Sequence, residues 1–310
     1  MDAVTAASAE SMEKGSSSFS AAARLFGRRL REDVWQLYAW CRHCDDEIDG
    51  QAGGGASVQL SSEDRAQRLA QLRARTRSAL AGAPQDQAAF AAFGRVARAH
   101  QLPEQWPLEL LDGFAQDVEP QPFAGQNDTL AYCWGVAGTV GVMMALIMGA
   151  RDESVLRRAQ DLGLAFQLTN ICRDVREDAE NGRVYLPVDA LAAVGVPATP
   201  QAVLDPRHRA AVFAVVRDQL ELAEAYYRSA RVGLRDLPFR GALAVAAARD
   251  VYREIGRRIV RKGPSALESR MSTPKPVLVL RLLRGGLIAL WSRAEKLTPP
   301  PARPPLWSRL

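Results

Sequence analysis

Apolar residues recur along this chain at three- and four-residue intervals, and strict strand-like alternation is absent. That period predicts α-helices over about 31–49, 63–80, 86–100, 104–118, 128–149, 152–178, 206–232 and 239–262. A shorter helix enters 19–25 behind the candidate N-caps Ser16, Ser17 and Ser18. Pro103, Pro107 and Pro120 punctuate the pattern, Pro206 suits a first helical turn, and the glycine-rich stretch 50–57 has the composition of a surface loop. No repeat of fixed period occurs and no linker interrupts 16–265. The expectation is an all-α protein with one helical domain over 16–296, a flexible N-terminus over 1–15 and a Pro-rich flexible tail over 297–310.

Two helices depart from ordinary amphipathic patterning. The one over 128–149 carries Gly135, Gly138 and Gly141 at i, i+3 spacing. Each glycine costs roughly 1 kcal/mol of helix propensity relative to alanine. The bare face they create serves either close helix packing or a bulky apolar ligand lying against the backbone. The second is the run over 277–291, which is apolar but interrupted by Arg281 and Arg284. It falls short of the ~20 residues of a bilayer span. It suits either a last core helix or an interfacial helix with its arginines and Trp291 at headgroup level.

Composition adds limits more than direction. At 310 residues, 47% hydrophobic and 24% charged, the chain is ordinary for a globular protein and long enough to bury a large core. The net charge of +5 is spread among interspersed arginines and acids, with no basic run carrying interleaved aromatics, so a nucleic-acid partner is not expected. Anionic diphosphates or an anionic membrane surface fit that charge equally well. Cys41, Cys44, Cys133 and Cys172 lack the second Cys or His pair that a zinc site needs and are expected as small packing residues in a reducing compartment. Residues 1–10 are neither basic nor apolar, so no signal peptide is expected and the location is expected to be cytoplasmic.

Candidate chemistry comes from acidic residues on apolar helices. Asn170, Asp174 and Asp178 recur every four residues, which stacks three oxygen donors along one helix face. Far upstream, Asp45 and Asp49 repeat that spacing within Asp45, Asp46, Glu47 and Asp49. The first row continues the apolar segment 162–166 and the second follows the aromatic segment 34–41. Charges on the continuation of a buried face are costly unless something pairs them, so two solvated acidic faces fit less well than a pair of ligand rows. Two such rows facing each other would seat Mg²⁺ between carboxylates and a substrate diphosphate. Asp46 points about 100° away from Asp45 and is expected behind it.

The segment from Tyr132 through Cys133, Trp134, Gly135, Val136, Ala137, Gly138, Thr139 and Val140 to Gly141 resembles one signature of the phytoene/squalene synthase family. Leu162 to Gln167, continuing through Asn170, Arg173, Asp174, Asp178 and Arg183, Val184, Tyr185, Leu186, Pro187, resembles the other. The likeness runs from Ser16 to about Arg270, is strongest to the bacterial members that make a C40 product, and shows no departure in the acidic motifs. It implies the single-domain isoprenoid-synthase bundle, with a central apolar cavity and the two acidic helices facing across its mouth. It also implies head-to-head joining of two geranylgeranyl diphosphates to phytoene through a cyclopropylcarbinyl diphosphate, with two diphosphates released. Mg²⁺ is implied (with Mn²⁺ as an alternative ion) and NADPH is not.

On that resemblance, Asp45, Asp49, Asn170, Asp174 and Asp178 are the metal ligands, and Asp45, Asp49, Asp174, Asp178 and Tyr132 the catalytic set. Arg42, Arg183, Gln167, Asn170, Tyr185, Tyr252, Arg270, Phe19 and Ser18 are the substrate-binding candidates, while Arg173 pairs with a nearby carboxylate. Expected partners are prenyl diphosphates, with peripheral contact to the inner face of a membrane or to downstream carotenoid enzymes. Rival readings are a dehydrosqualene-type synthase acting on C15 diphosphates, a chain-elongating prenyltransferase, a terpene cyclase and a non-catalytic membrane-associated assembly factor. A chain-elongating enzyme repeats its first acidic motif at the second site, a cyclase lacks the paired signatures, and an assembly factor has no need of metal ligands.

Overall fold

The computed structural model describes residues 2–15, 17–50, 60–118, 121–271 and 274–310. Residues 51–57 of the expected glycine loop, and Pro120, lie outside these. The helices are α1 (Ala3–Gly15), α2 (Ser17–Ala23), α3 (Arg28–Asp49), α4 (Ser62–Leu80), α5 (Ala88–His100), α6 (Gln105–Val118), α7 (Gln126–Cys133), α8 (Thr139–Ile147), α9 (Glu153–Glu180), α10 (Val188–Ala193), α11 (Pro200–Leu204), α12 (Arg209–Gly233), α13 (Phe239–Lys262) and α14 (Lys275–Ala294). No strand occurs among the described residues, as the apolar period requires.

Helix ends follow local chemistry. Gly50, at φ 68°, closes α3 one residue after Asp49, and Asp152 caps α9 by accepting the Ser154 N–H. The short α10 and α11 were not expected, because six and five residues are too few to show a period. α11 did carry a start signal: Thr199 accepts the Ala202 N–H and Pro200 occupies the first turn.

α9 forms the axis of the bundle, packing against α12, α8 and α13, while α3 packs on α1 and α5. Apolar faces of α3, α5, α8, α9, α12 and α13 build a large core that includes Trp40 stacked on Phe93 with centroids 4.1 Å apart, and a second cluster joins Met12 of α1 to α3 and α13. Each large apolar side chain fully buried there stabilises the fold by roughly 1.5–3 kcal/mol. α7 and α8 form one helix, Gln126–Ile147, joined by a π-helical segment at Trp134–Gly138. It has the length and apolar character of a membrane span, yet 67% of its most apolar window is buried inside the bundle.

The glycines explain how α7–α8 enters the core. A Cβ on Gly135 would lie 2.7 Å from the Gly113 Cα on α6, and one on Gly141 would lie 2.5 Å from the Ala159 carbonyl on α9. Gly163 makes the reciprocal approach from α9 to the Ala137 carbonyl. The close-packing alternative is realised here, and Gly141 also lines the central cavity.

Both ends of the chain differ from expectation. The N-terminal segment expected to be flexible is α1, which packs on α3 and buries Thr5, Ser8 and Met12. Its inward face is mostly small and polar, with the Gln36 amide donating to the Thr5 hydroxyl at 3.4 Å, so hydropathy does not reveal it. The Pro-rich tail is irregular but strapped to the bundle. Arg303 donates to both carboxylate oxygens of the fully buried Asp161, at 2.7 and 3.0 Å. The Gln160 side chain accepts the backbone N–H groups of Arg309 and Leu310, and the Tyr226 hydroxyl donates to the Trp307 carbonyl. A buried carboxylate on α9 needs a cation, and the tail brings one.

Candidate active site

A cavity of about 800 Å³ runs between α2, α3, α8, α9 and α13. Its inner walls are apolar and aromatic. Phe166 lies between Tyr252, at 4.5 Å, and Phe19, at 5.7 Å between ring centroids, and Ala22 and Ala23 line the wall nearby. Its mouth is polar: the C-terminal half of α3 brings Arg42 and Asp45, and the C-terminal half of α9 brings Gln167, Asn170, Arg173 and Asp174. Helical spacing puts these groups on one side of each helix, because residues four apart share a face.

The acids at the mouth are held by arginines. Arg42 reaches Asp45 at 3.3 Å and Asp46 at 2.7 Å. Arg183 donates to Asp49 at 3.1 Å, and Asp174 is gripped by Arg173 at 2.8 Å and by Arg270 at 3.0 Å. Arg270 also meets Glu177 at 3.4 Å. Asp45 lines the cavity at its polar end, with its side chain partly exposed. Burial, then the neighbouring Asp49 charge, pushes its carboxyl up to about 7. Burial and Asp174 push Asp178 up to about 7 as well.

Asp49, Asp178, Arg183 and Tyr185 do not line the cavity; they form an adjoining polar cluster. Arg183 donates to Asp49 and, at 3.4 Å, to the Tyr185 hydroxyl. Tyr132, Phe19, Tyr252 and Arg270 do line the cavity, and Tyr252 shares a hydrogen bond with Arg173. Ser18 belongs to α2, but its side chain lies outside the described residues.

Among the described residues no three acidic, His or Cys side chains converge closely enough to chelate a bare ion. The donor set nevertheless suits Mg²⁺, which takes one or two carboxylates and completes its shell with water and substrate phosphate. The donors are all oxygens, burial and neighbouring carboxylates raise the carboxyls of Asp45 and Asp178 to about 7, and the buried Asn170 Oδ1 has no hydrogen-bond partner. The Asn170 amide is turned by donating to Gln167 at 3.3 Å.

One functional group escaped the sequence reading. Asp117, on α6, lines the cavity and accepts the hydroxyls of Tyr132 at 3.1 Å and Tyr185 at 2.7 Å. Its signal was an acid at the position where Leu110 and Phe114 predict an apolar residue, three and seven places on. Burial raises its carboxyl above the usual range, so the folded state favours the neutral form and charging it weakens the fold as pH rises. Asp117→Asn is therefore expected to keep or raise stability at pH 8 while lowering turnover by tenfold or more, because the two tyrosines lose their shared anchor. Parallel urea denaturation and steady-state rates check this; a loss of both together would make Asp117 a purely structural group.

Comparison with known proteins agrees with this geometry. The sequence pattern of the family described as squalene/phytoene synthase matches residues 12–277. The chain is 47% identical over 298 residues to a 15-cis-phytoene synthase of Enterobacter agglomerans, covering 96% of this chain and 99% of that one. It is 46% identical over 300 residues to a 15-cis-phytoene synthase of Pantoea ananas, covering 97% and 96%. Among solved structures, a dehydrosqualene synthase superposes with a TM-score of 0.80 at 24% identity, over 91% of this chain and 95% of that one, which establishes the shared fold. With its helical bundle and this sequence match, the chain belongs to the squalene/phytoene synthase family.

Proposed function

We propose that this protein joins two geranylgeranyl diphosphates head to head, releasing two diphosphates and giving phytoene for carotenoid biosynthesis. The observation that carries the reading is that Asp45 of α3 and Asn170 and Asp174 of α9, with Arg42, Arg173 and Arg270, line one aromatic-walled apolar cavity. Near-full-length identity of 46–47% to bacterial phytoene synthases supports the C40 product over its rivals. Of these, an assembly factor would not need the acid rows, and a chain-elongating enzyme or cyclase would not match the family pattern.

Asp45, Asp49, Asn170, Asp174 and Asp178 would hold Mg²⁺ or Mn²⁺, and the bound ion supplies positive charge to the departing diphosphate. Arg42, Arg183 and Arg270, now spent on carboxylates, are the fork-shaped donors for phosphate oxygens. In the first step the allylic C–O bond of one substrate breaks and its diphosphate leaves with the electron pair. The double bond of the second substrate attacks that carbon, a proton is lost and the cyclopropane closes. Loss of the second diphosphate, rearrangement and loss of another proton then give the hydrocarbon. Phe19, Phe166 and Tyr252 present ring faces to the cationic carbon and keep water from capturing it. Asp117 orients Tyr132 and Tyr185 beside the diphosphate end. No step consumes hydride, so NADPH is not required. Carbon chains of this length and their product partition into lipid, which accords with a cytoplasmic protein attached peripherally to the inner face of a membrane.

Incubation with Mg²⁺ and either C20 or C15 diphosphate, without NADPH, tests the reading by product mass. A C40 hydrocarbon from C20 substrate is expected; a C30 product formed preferentially from C15 would transfer the chain to the dehydrosqualene reading. Ala23, which is buried on the cavity wall, is expected to set chain length. Ala23→Phe should lower the C20 rate about tenfold or more relative to C15, since filling a packed wall costs roughly 1–3 kcal/mol for the longer chain. An unchanged C20:C15 ratio would remove Ala23 from that role.

A further inference from the structure

α14 has two faces. The inner one packs on α13 so closely that a Cβ on Gly285 would lie 2.6 Å from the Ala247 Cα, and Ala289 and Ser292 are buried there. The outer one carries Val279, Leu280, Leu283, Leu287, Leu290 and Trp291, each 56–68% exposed. Six of the eleven large apolar side chains exposed among the described residues therefore sit on this helix, too many for the single scattered side chains of an ordinary surface. Their spacing gathers them into an arc of about 120° with no acid in it. Because the opposite face is fixed to α13, the helix lies along the molecule and cannot cross a bilayer.

The edge of this face is cationic. Arg284, one turn from both Leu280 and Leu287, opens onto a cleft of about 580 Å³ between α12, α13 and α14, where the arginines, Arg257 among them, outnumber the three acids Glu221, Glu224 and Glu254. Arg253 is committed to Glu224, and Arg261 and Arg281 to Glu254. The Arg257 guanidinium makes no hydrogen bond or ion pair among the described residues, and Arg284 makes a long ion pair with Asp250 at 3.7 Å. Arg257 is accordingly pushed below the usual guanidinium range, first by burial and then by Arg253, with Arg284 adding to it. An apolar helix face bordered by a cleft in which guanidiniums outnumber carboxylates is complementary to a bilayer with negatively charged headgroups.

We propose that α14 is a membrane-docking element. Its outer face lies in the headgroup region of an anionic bilayer, and Arg257 and Arg284 receive lipid phosphates. Leu278, on the first turn of α14, and the preceding Met271 and Arg270 line the central cavity, so docking sets the cavity mouth beside the bilayer. Only the benefit of that placement, direct exchange of apolar substrate and product, rests on the proposed reaction.

The test is flotation of the full chain with vesicles of phosphatidylcholine alone and with about 30% phosphatidylglycerol, at low and high salt. The protein is expected to bind the anionic vesicles about tenfold or more tightly, with the preference shrinking as salt rises. Leu283→Glu with Leu287→Glu should abolish binding to both vesicles. Arg257→Gln with Arg284→Gln should remove the preference and leave the weaker binding. All four side chains lie outside the catalytic machinery, so C40 formation from detergent-dispersed substrate should be unchanged, and failure of docking and failure of the reaction are read separately. Equal flotation of the wild type and the Leu283→Glu, Leu287→Glu variant would overturn the proposal. So would light scattering showing that this variant splits a dimer while the wild type ignores vesicles, since the face would then join two copies of the chain.

Discussion

Asp174→Asn is expected to lower turnover by about 1,000-fold or more with the fold intact, a loss of roughly 4 kcal/mol in barrier height. Asp174 stands at the centre of the mouth, contacting Arg173 and Arg270 and lining the cavity. Asparagine keeps the shape and one oxygen but removes the charge that holds a divalent ion against a departing diphosphate. The two arginines released by the change remain free to bind phosphate, so KM should move little and the loss should fall on kcat. Glu177→Gln is the control. Glu177 also meets Arg270, yet its side chain is half exposed and turned from the cavity lining, so about a threefold effect at most is expected. Product formation under steady-state conditions, with unfolding midpoints measured beside it, decides the matter. A variant within tenfold of wild type would take Asp174 out of the metal set.

The second large effect concerns stability. Arg303→Met should cost about 3 kcal/mol, because it leaves the fully buried Asp161 with the Ser229 hydroxyl as its remaining hydrogen-bond donor and loosens the tail. Met retains most of the side-chain volume, so the charge is what is being tested. The double variant Arg303→Met with Asp161→Asn should recover a good part of the loss, since the uncompensated buried charge is then gone. Urea midpoints of the two single variants and the double variant measure this coupling. A single-variant change under about 0.5 kcal/mol would mean that the tail rests on the bundle without supporting it.

The site was more legible than the surfaces around it. Asp45, Asp49, Asn170, Asp174 and Asp178 were visible because carboxylates continuing an apolar stripe break the helical pattern twice, at the same spacing. Asp117 breaks it once, and one break is indistinguishable from a surface position until α6 is seen to face α7 and the loop carrying Tyr185. The docking of α1 was hidden for the opposite reason, since its buried residues Thr5 and Ser8 are small and polar. For the run 277–291, hydropathy gave the apolar character of the helix but not its orientation: the inner face was chosen by Gly285, which lets α14 approach Ala247, and the leucines were left outside.

What the sequence by itself determined is therefore what is strongly periodic: the long helices of the bundle, the all-α class, the two acid rows and the family they resemble. A helix repeats every 3.6 residues, so local spacing already places side chains on faces. Which face meets which partner depends on contacts between residues far apart in the chain. Tertiary structure alone decided that Arg183 holds Asp49, that Arg303 reaches Asp161 from the tail, and that Asp117 joins Tyr132 to Tyr185. Those pairings are 134, 142, 15 and 68 residues apart in sequence, beyond the reach of any local period, and they follow from the demand that buried charges and hydroxyls find partners when the helices pack.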